Sequence, residues 1–230
     1  MKVKPGKIIS VNGFSQSGKT AYVKHLVESK DRVLVWDVEG QYFIDDDDNP
    51  THGAIITRTI DELLDVIDEI GGEPGRIVYQ GAPVSDFEKV AAIAFAWARC
   101  GEQLGNESWF VAEETSDFTS PGKAPNAWGQ LLRKGKKRGL TIVAVCQRLQ
   151  ESDKTAIGNA DIVHVTQLVF PADHDYMAGI MSCSVEEIAL LRADQDKGEF
   201  DYMQRNLLKQ ERITGKLTFP RGKAKFSKLL

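Results

Sequence analysis

Residues 13–20 read Gly13-Phe14-Ser15-Gln16-Ser17-Gly18-Lys19-Thr20. This octapeptide matches the pattern G-x-x-x-x-G-K-[ST] at every position. A short apolar run precedes it and a helical pattern follows it, which is the strand–loop–helix setting that the pattern requires. The other interpretation is a turn rich in glycine and serine with an incidental Lys-Thr pair. The setting favours a phosphate-binding loop.

Such a loop explains why these residue types occur in this order. The glycines let the backbone wrap, so that N–H groups of residues 13–18 and the start of the helix face a phosphate. Lys19 neutralises the β- and γ-phosphate oxygens, and Thr20 supplies a hydroxyl to Mg²⁺. The sequence therefore predicts a site for a nucleoside triphosphate and Mg²⁺.

Outward from the loop, buried strands alternate with helical patterns. The strands are short, continuous apolar runs, as expected when helices cover both faces of a sheet. We predict strands at residues 8–11, 33–36, 77–79, 109–112, 142–145 and 162–166, and helices at 21–28, 60–70 and 84–98. This alternation predicts an α/β fold with a mainly parallel central sheet flanked by helices.

Composition excludes several classes of protein. The 230 residues are 42% hydrophobic and 27% charged, which argues against a disordered chain. Three scattered cysteines lack the spacing of a metal site or a disulfide framework and indicate a reducing compartment. No apolar run approaches the ~20 residues of a membrane span, so we expect no transmembrane segment.

Two adjacent carboxylates, Glu113 and Glu114, follow the apolar run at residues 109–112. The carboxyl ends of parallel strands are where an α/β sheet binds its ligand. One acid there holds Mg²⁺, for which we select Glu113, and the second deprotonates the attacking water, for which we select Glu114. The alternative is a pair of acids that cap an exposed strand end. Hydrolysis is the expected reaction, and the second acid argues against a small-molecule kinase.

Gln147 and the cations before its strand are weaker candidates. A polar side chain at the tip of the neighbouring strand can contact the γ-phosphate or the attacking water, although a solvated strand end explains it equally well. The segment Arg133-Lys134-Gly135-Lys136-Lys137-Arg138 places five cations in six residues. It is either a solvated helix end or a source of an arginine for a neighbouring subunit's γ-phosphate and of contacts to nucleic acid.

Together these motifs resemble a known family. The stretches GFSQSGKT, VLVWDVEGQY, WFVAEE and GLTIVAVCQR resemble those of the HerA/FtsK superfamily of P-loop motors. The best match within it is to the genome-packaging ATPases of tailless, membrane-containing phages of the tectivirus and corticovirus type. The resemblance implies a RecA-like P-loop NTPase core of the additional-strand, catalytic-glutamate type.

The same resemblance implies partners and roles. It implies a ring of five or six copies of this chain that hydrolyses ATP and drives double-stranded DNA into a preformed capsid. Capsid-vertex or membrane-associated virion proteins are further expected partners, and the packaging vertex or the host cytoplasm is the expected location. Arg133 and Arg138 are the candidates for an arginine that acts in trans on the nucleotide of a neighbouring subunit. Arg138 is preferred because it is nearer to the strand predicted at residues 142–145. Asp37 and Glu39 match an acidic strand end of the family.

Other functions stay open at this point. They are another HerA/FtsK-type translocase or helicase, a phage-assembly ATPase related to zonula occludens toxin, and a vertex protein that binds ATP without turnover. A GTPase is disfavoured because the sequence has no Asn-Lys-x-Asp signature.

The charge is unevenly distributed along the chain. The formal net charge is -4, yet residues 212–230 contain six cations and no acid. We therefore predict a single P-loop ATPase domain at residues 1–211 and a basic C-terminal tail at 212–230, and the mild net charge does not argue against DNA.

Overall fold

The computed structural model describes residues 2–45, 47, 49–81, 84–122 and 124–218, and the backbone of 225–229. The strands are β1 (Ile8–Asn12), β2 (Arg32–Trp36), β3 (Ala54–Thr57), β4 (Gly75–Tyr79), β5 (Ser108–Ala112), β6 (Leu140–Cys146), β7 (Ile162–Val165), β8 (Ala193–Asp194), β9 (Glu199–Asn206), β10 (Glu211–Thr218) and β11 (Lys225–Leu229). The helices are α1 (Lys19–Glu28), α2 (Ile60–Ile70), α3 (Phe87–Leu104), α4 (Thr115–Phe118), α5 (Asn126–Lys134), α6 (Thr155–Gly158), α7 (Pro171–Met181) and α8 (Val185–Ala189).

One twisted sheet organises these elements. Its strand order is β11-β10-β9-β7-β1-β6-β5-β2-β4-β3, with β8 paired to β9. The seven strands from β3 to β7 in this order are parallel. β6 lies between β1 and β5, which is the arrangement that the additional-strand type requires. The predicted α/β class with a mainly parallel sheet is confirmed.

Apolar cores cover both faces of the parallel strands. Successive residues of a strand point to opposite faces, and Ile8 accordingly packs in one core while Ile9 and Val11 pack in another. The first core also contains side chains of α2, α3 and α5. The second contains Tyr22, Val23 and Val27 of α1. The sheet is therefore buried between layers of helix, which explains its continuous apolar strands.

The C-terminal part differs from its prediction. β9, β10 and β11 extend the sheet as antiparallel strands beyond β7. The boundary expected at residue 212 therefore falls inside β10, and residues 212–218 belong to the sheet rather than to a tail. Arg212 forms an ion pair with Glu187, and Lys216 with Glu199. Residues 219–224 and 230 of the expected tail lie outside the described part of the chain.

Of the described residues, none belongs to a helix that is both long and apolar enough to span a bilayer.

Candidate nucleotide site

The phosphate loop is attached to the strands on both sides of β1. The Gly13 N–H donates to the Cys146 carbonyl at the end of β6 (3.2 Å), and the Phe14 N–H donates to the Gln167 carbonyl beyond β7 (2.7 Å). A Cβ at Gly13 would lie 1.9 Å from Thr166 Oγ1, so that only glycine fits there. The loop is held at the carboxyl edge of the sheet, where the motif predicts it.

The far end of the loop opens into the start of α1. Gly18 has φ 92°, in the left-handed region that glycine adopts without strain. Ser17 is buried, and its hydroxyl donates to the Phe14 carbonyl (2.7 Å) and lies 2.6 Å from Thr166 Oγ1. No side chain caps α1, and its first turn contains no acid. Its first N–H groups are therefore available to an anion.

Lys19 lies beside the loop and faces the acidic pair. Its Nζ donates to the Phe14 carbonyl (2.9 Å), and the side chain is buried. Burial lowers the pKa of Lys19, whereas the charges of Glu114 and Glu113 raise it. The structure thus brings together the lysine and the two glutamates that the sequence places 94 and more residues apart. Thr20, next in α1, is half-buried.

Glu113 is buried at the end of β5 and held by one hydrogen bond. The Tyr42 hydroxyl donates to Glu113 Oε1. The pKa of Glu113 is raised to about 7, with burial as the largest cause and the charge of Glu114 as a further one, while Tyr42 and Lys19 oppose the rise. The free protein therefore holds this carboxyl near its point of half-protonation at neutral pH. A cation that binds here displaces the remaining proton.

Glu114 has an unusual backbone and a defined partner. Its φ of 50° and ψ of 58° lie in the left-handed region, which costs free energy in a residue with a Cβ. Gln147 Nε2 donates to Glu114 Oε1 at 2.5 Å. Burial raises the pKa of Glu114, whereas Gln147 and Lys19 lower it. Gln147 and the predicted base Glu114 are therefore in direct contact across the ends of β5 and β6.

The side chains present fit Mg²⁺. Thr20 and Glu113 offer a hydroxyl and a carboxylate, which are hard oxygen donors of the type that this ion takes. Across the described residues, no group of three or more His, Cys, Asp or Glu side chains could hold a metal. Mg²⁺ usually binds through one or two protein oxygens together with nucleotide phosphates and water, so two donors beside a phosphate loop suffice.

Tyr42 is a site residue that sequence reasoning missed. Its side chain is fully buried, and its backbone N–H donates to Asp37 Oδ2 (2.7 Å). Asp37, at the end of β2, thus orients the turn from which Tyr42 reaches Glu113. Glu39, the other acid matched there, is exposed and accepts from Gln41 Nε2 (2.7 Å). Tyr42 ends the quoted stretch VLVWDVEGQY, but nothing there assigned it a role, because a buried tyrosine after a strand resembles any core aromatic residue.

The two candidate arginines lie away from this cluster. Both precede β6, whereas the phosphate loop contacts the end of β6. Arg138 forms an ion pair with Glu102 (3.0 Å), and Arg133 is exposed on the last turn of α5. About seven residues of strand, roughly 23 Å at 3.3 Å per residue, separate Arg138 from Gln147. Closeness to β6 in sequence therefore does not bring Arg138 near the nucleotide site of its own chain, and its contact with a neighbouring subunit's nucleotide stays a prediction.

Comparison with known proteins finds similarity to several viral proteins. It is similar to protein P9 of Pseudoalteromonas phage PM2, at 30% identity over 183 residues that cover 79% of this chain and 78% of that protein. No protein-family model matches the chain. It is also similar to the genome packaging NTPase B204 of Sulfolobus turreted icosahedral virus 2 in complex with AMPPCP, with a TM-score of 0.68, 13% identity, and coverage of 92% of this chain and 97% of that chain. B204 of Sulfolobus Turreted Icosahedral Virus, a DNA-packaging ATPase, has a TM-score of 0.63 at 13% identity, with coverage of 92% and 98%. At these identities the structural similarity establishes a P-loop NTPase fold.

Proposed function

The chain belongs to the family of protein P9 of Pseudoalteromonas phage PM2, and we propose on this premise that it is an ATP-hydrolysing motor that moves double-stranded DNA. The resemblance to the HerA/FtsK superfamily of P-loop ATPases is confirmed. The process that this motor serves is the packaging of a viral genome into a preformed capsid. The names of the similar B204 structures support this proposal, since both describe packaging enzymes.

The observation that carries the hydrolytic part is the contact between Glu114 and Gln147 beside the buried Lys19. Glu114 accepts the proton of the attacking water, and Gln147 holds its carboxylate while lying within reach of the γ-phosphate. Lys19 neutralises charge that develops on the phosphate oxygens. Thr20 and Glu113 would hold Mg²⁺, which would neutralise further charge on the phosphate oxygens.

The contact between Gln147 and Glu114 also links chemistry to motion. Gln147 continues directly from β6, which pairs with β1 on one side and β5 on the other. Loss of the γ-phosphate changes what the amide of Gln147 and the carboxylate of Glu114 can bind. The resulting shift passes into a strand at the middle of the sheet, which is a route by which hydrolysis can move the surface of the domain.

Double-stranded DNA is the proposed substrate of the movement. Four cations of the basic segment are exposed, namely Arg133, Lys134, Lys137 and Arg138. Arg138 is paired with Glu102 (3.0 Å), and the half-buried Lys136 is paired with Asp161 (2.7 Å). Exposed cations of this kind contact phosphates without regard to base sequence. Sequence-independent contact is what a motor needs in order to move along any genome.

A homo-oligomeric ring of five or six subunits at the capsid vertex is part of the proposal. Arg133 or Arg138 then contacts the nucleotide of the neighbouring subunit, which is consistent with the exposure of both. Subunits with Arg138→Ala, mixed into wild-type rings, should reduce ATPase activity by more than their share. A loss proportional to the mixing ratio would assign the trans contact elsewhere.

Replacement of Glu114 by Gln tests the proposed function. The variant should bind ATP with wild-type affinity and hydrolyse it at least about 100-fold more slowly, because the general base is lost. The control is Glu39→Gln, which replaces an exposed acid after the neighbouring strand β2 and should retain full turnover. ATPase rates with and without linear double-stranded DNA should differ in the wild type. Unchanged turnover in Glu114→Gln contradicts hydrolysis by this site, and a rate insensitive to DNA contradicts the proposed substrate.

A further inference from the structure

A cleft of about 400 Å³ opens beside the phosphate loop. Its walls come from three segments: Phe14 and Gln16 of the loop, Gln167 and Val169 beyond β7, and Gln195 after β8. β7 is the neighbour of β1 on the side opposite β6. The cleft and the catalytic carboxylates therefore lie on opposite sides of the phosphate loop.

The position of the catalytic groups sets the direction in which a nucleotide lies. Its terminal phosphate must face Glu114 and Gln147, which follow β5 and β6. The preceding phosphates lie against the loop and the start of α1. The sugar and base then leave the loop away from β6, on the side of β7. Neighbouring strands are only ~4.8 Å apart, so the cleft begins where the nucleoside emerges.

The cleft wall includes large apolar side chains that remain exposed to solvent. Phe14 is 40% exposed and Val169 48%. The Phe14 ring packs edge-on against Phe170, with a centroid distance of 6.4 Å and an interplanar angle of 73°. The exposed part of the Phe14 side chain remains open to the cleft that it lines. A nucleobase has two flat apolar faces, and stacking on an aromatic ring removes them from water.

The polar groups of the cleft are amides. Gln16, Gln167 and Gln195 each offer one carbonyl acceptor and one NH₂ donor, and in the described structure none of the three amides has a side-chain hydrogen bond. Adenine has an amine donor next to ring-nitrogen acceptors, a pattern that a glutamine amide complements. The described residues that line the cleft carry no charge, which suits a neutral base and not a second phosphate.

The cleft is built together with the loop. The Phe14 N–H donates to the Gln167 carbonyl at 2.7 Å, so the two walls cannot separate without loss of that bond. Phe14 also provides the carbonyl that accepts from Lys19 and Ser17. One residue thus places its backbone toward the phosphates and its ring toward the cleft.

We propose that this cleft binds the adenine base of ATP, stacked on Phe14 and against Val169, with the glutamine amides at the edge of the base. The inference rests on the proposed function, because it requires a nucleotide in the phosphate loop.

The test separates base binding from phosphate binding. Calorimetry on the full chain measures the affinity of two magnesium-bound probes, a non-hydrolysable ATP analogue and inorganic tripolyphosphate. Phe14→Ala should weaken binding of the analogue about 10-fold, the size of one lost stacking contact, and leave tripolyphosphate binding unchanged. Phe14→Trp should retain binding of the analogue. The control is Leu208→Ala, an exposed apolar residue in the β9–β10 turn, which should change neither affinity.

Each other outcome identifies which idea fails. Equal weakening of both probes, or no weakening of the analogue, in Phe14→Ala overturns the base site while the phosphate site stands. Displacement of the analogue by GTP at the same concentration as by ATP overturns the assignment to adenine. Failure of the wild type to bind tripolyphosphate overturns the proposed function, and this inference with it.

Discussion

The two edges of the parallel sheet each bury a cation, and they use it in different ways. At the carboxyl edge, Lys19 donates to one carbonyl, that of Phe14, and otherwise faces Glu113 and Glu114. At the amino edge, Arg32 donates to the carbonyls of Gly71 (3.0 Å), Glu73 (3.1 Å) and Trp97 (2.7 Å). Its guanidinium lies 3.6 Å from the centroid of the Trp97 ring.

The difference separates a ligand-binding cation from a structural one. Lys19 keeps donors for a ligand that the folded chain does not supply, and the burial that lowers its pKa strengthens its interaction with phosphate. Arg32 connects the end of α2 and the interior of α3 to β2. A Cβ at Gly101 would lie 2.5 Å from Arg32 Nε, so the helix is shaped around this side chain. We therefore expect activity to depend on Lys19 at the carboxyl edge and stability to depend on Arg32 at the amino edge.

The largest expected effect is that of Lys19→Ala on activity. ATP hydrolysis should fall by about 100- to 1000-fold, because a donor to the developing charge on phosphate is lost. The melting temperature should stay the same or rise, since a buried ammonium no longer has to be desolvated. Rate assays and thermal unfolding measure the two effects, with Lys209→Ala in the exposed β9–β10 turn as control. A clear drop in melting temperature would give Lys19 a structural role as well.

Arg32→Ala should show the reverse pattern. We expect a loss of about 3 kcal/mol in the free energy of unfolding, because several carbonyls lose their donor and the contact with Trp97 is lost. Affinity for the non-hydrolysable ATP analogue should be unchanged. Urea denaturation and calorimetry measure these quantities, and Arg58→Ala, at an exposed arginine, is the control. If nucleotide affinity falls together with stability, the two edges are coupled and the comparison fails.

The third expected effect is a pH dependence of stability that arises at the carboxyl edge. The pKa of Glu113 is about 7 in the folded chain against 4.5 for an ordinary glutamate. The folded state therefore binds the extra proton, and its stabilising contribution is complete below pH 4.5 and is lost as the pH rises through 7. Without nucleotide, this loss is about 3 kcal/mol. The Arg32 pKa of about 10 keeps the amino edge charged throughout.

Glu113→Gln should remove that dependence. The difference in unfolding free energy between wild type and variant should change by about 3 kcal/mol between pH 4.5 and 8. The variant should become more stable relative to the wild type as the pH rises. Glu39→Gln should leave the wild-type profile intact. Parallel profiles for wild type and Glu113→Gln would mean that this carboxyl is ionised in the folded chain across the whole range.

Much of the nucleotide edge could be predicted from sequence because its chemistry is local. The loop residues, Lys19 and Thr20 are contiguous, and Glu113, Glu114 and Gln147 each follow a continuous apolar strand. Parallel strands share a carboxyl edge, so residues that end such strands meet there. The contact between Glu114 and Gln147 follows from this rule once β5 and β6 are neighbours.

The antiparallel extension was missed because its pattern is weaker. β9 and β10 are mostly half-buried and contain several charged residues. The sequence analysis predicted no strand there and, from residue 212, a basic tail. β9 pairs with the edge of the parallel sheet that β7 forms. Pairing of this kind depends on contacts between residues far apart in sequence, which composition does not report. Lys216 on β10 is neutralised by Glu199 on β9, which no count of local charge could show.

The sequence alone determined the class of fold and the kind of ligand, because glycine spacing, apolar strands and the residues that end them act through local backbone geometry. Only the tertiary structure decided which groups support that site and where the remaining cations point. Tyr42 reaches Glu113 across 71 residues, Phe14 meets the segment beyond β7, and Arg138 lies at the far edge beside Glu102. Such contacts arise from the order in which strands join the sheet, and that order is set by the burial of both faces together rather than by any one stretch of chain.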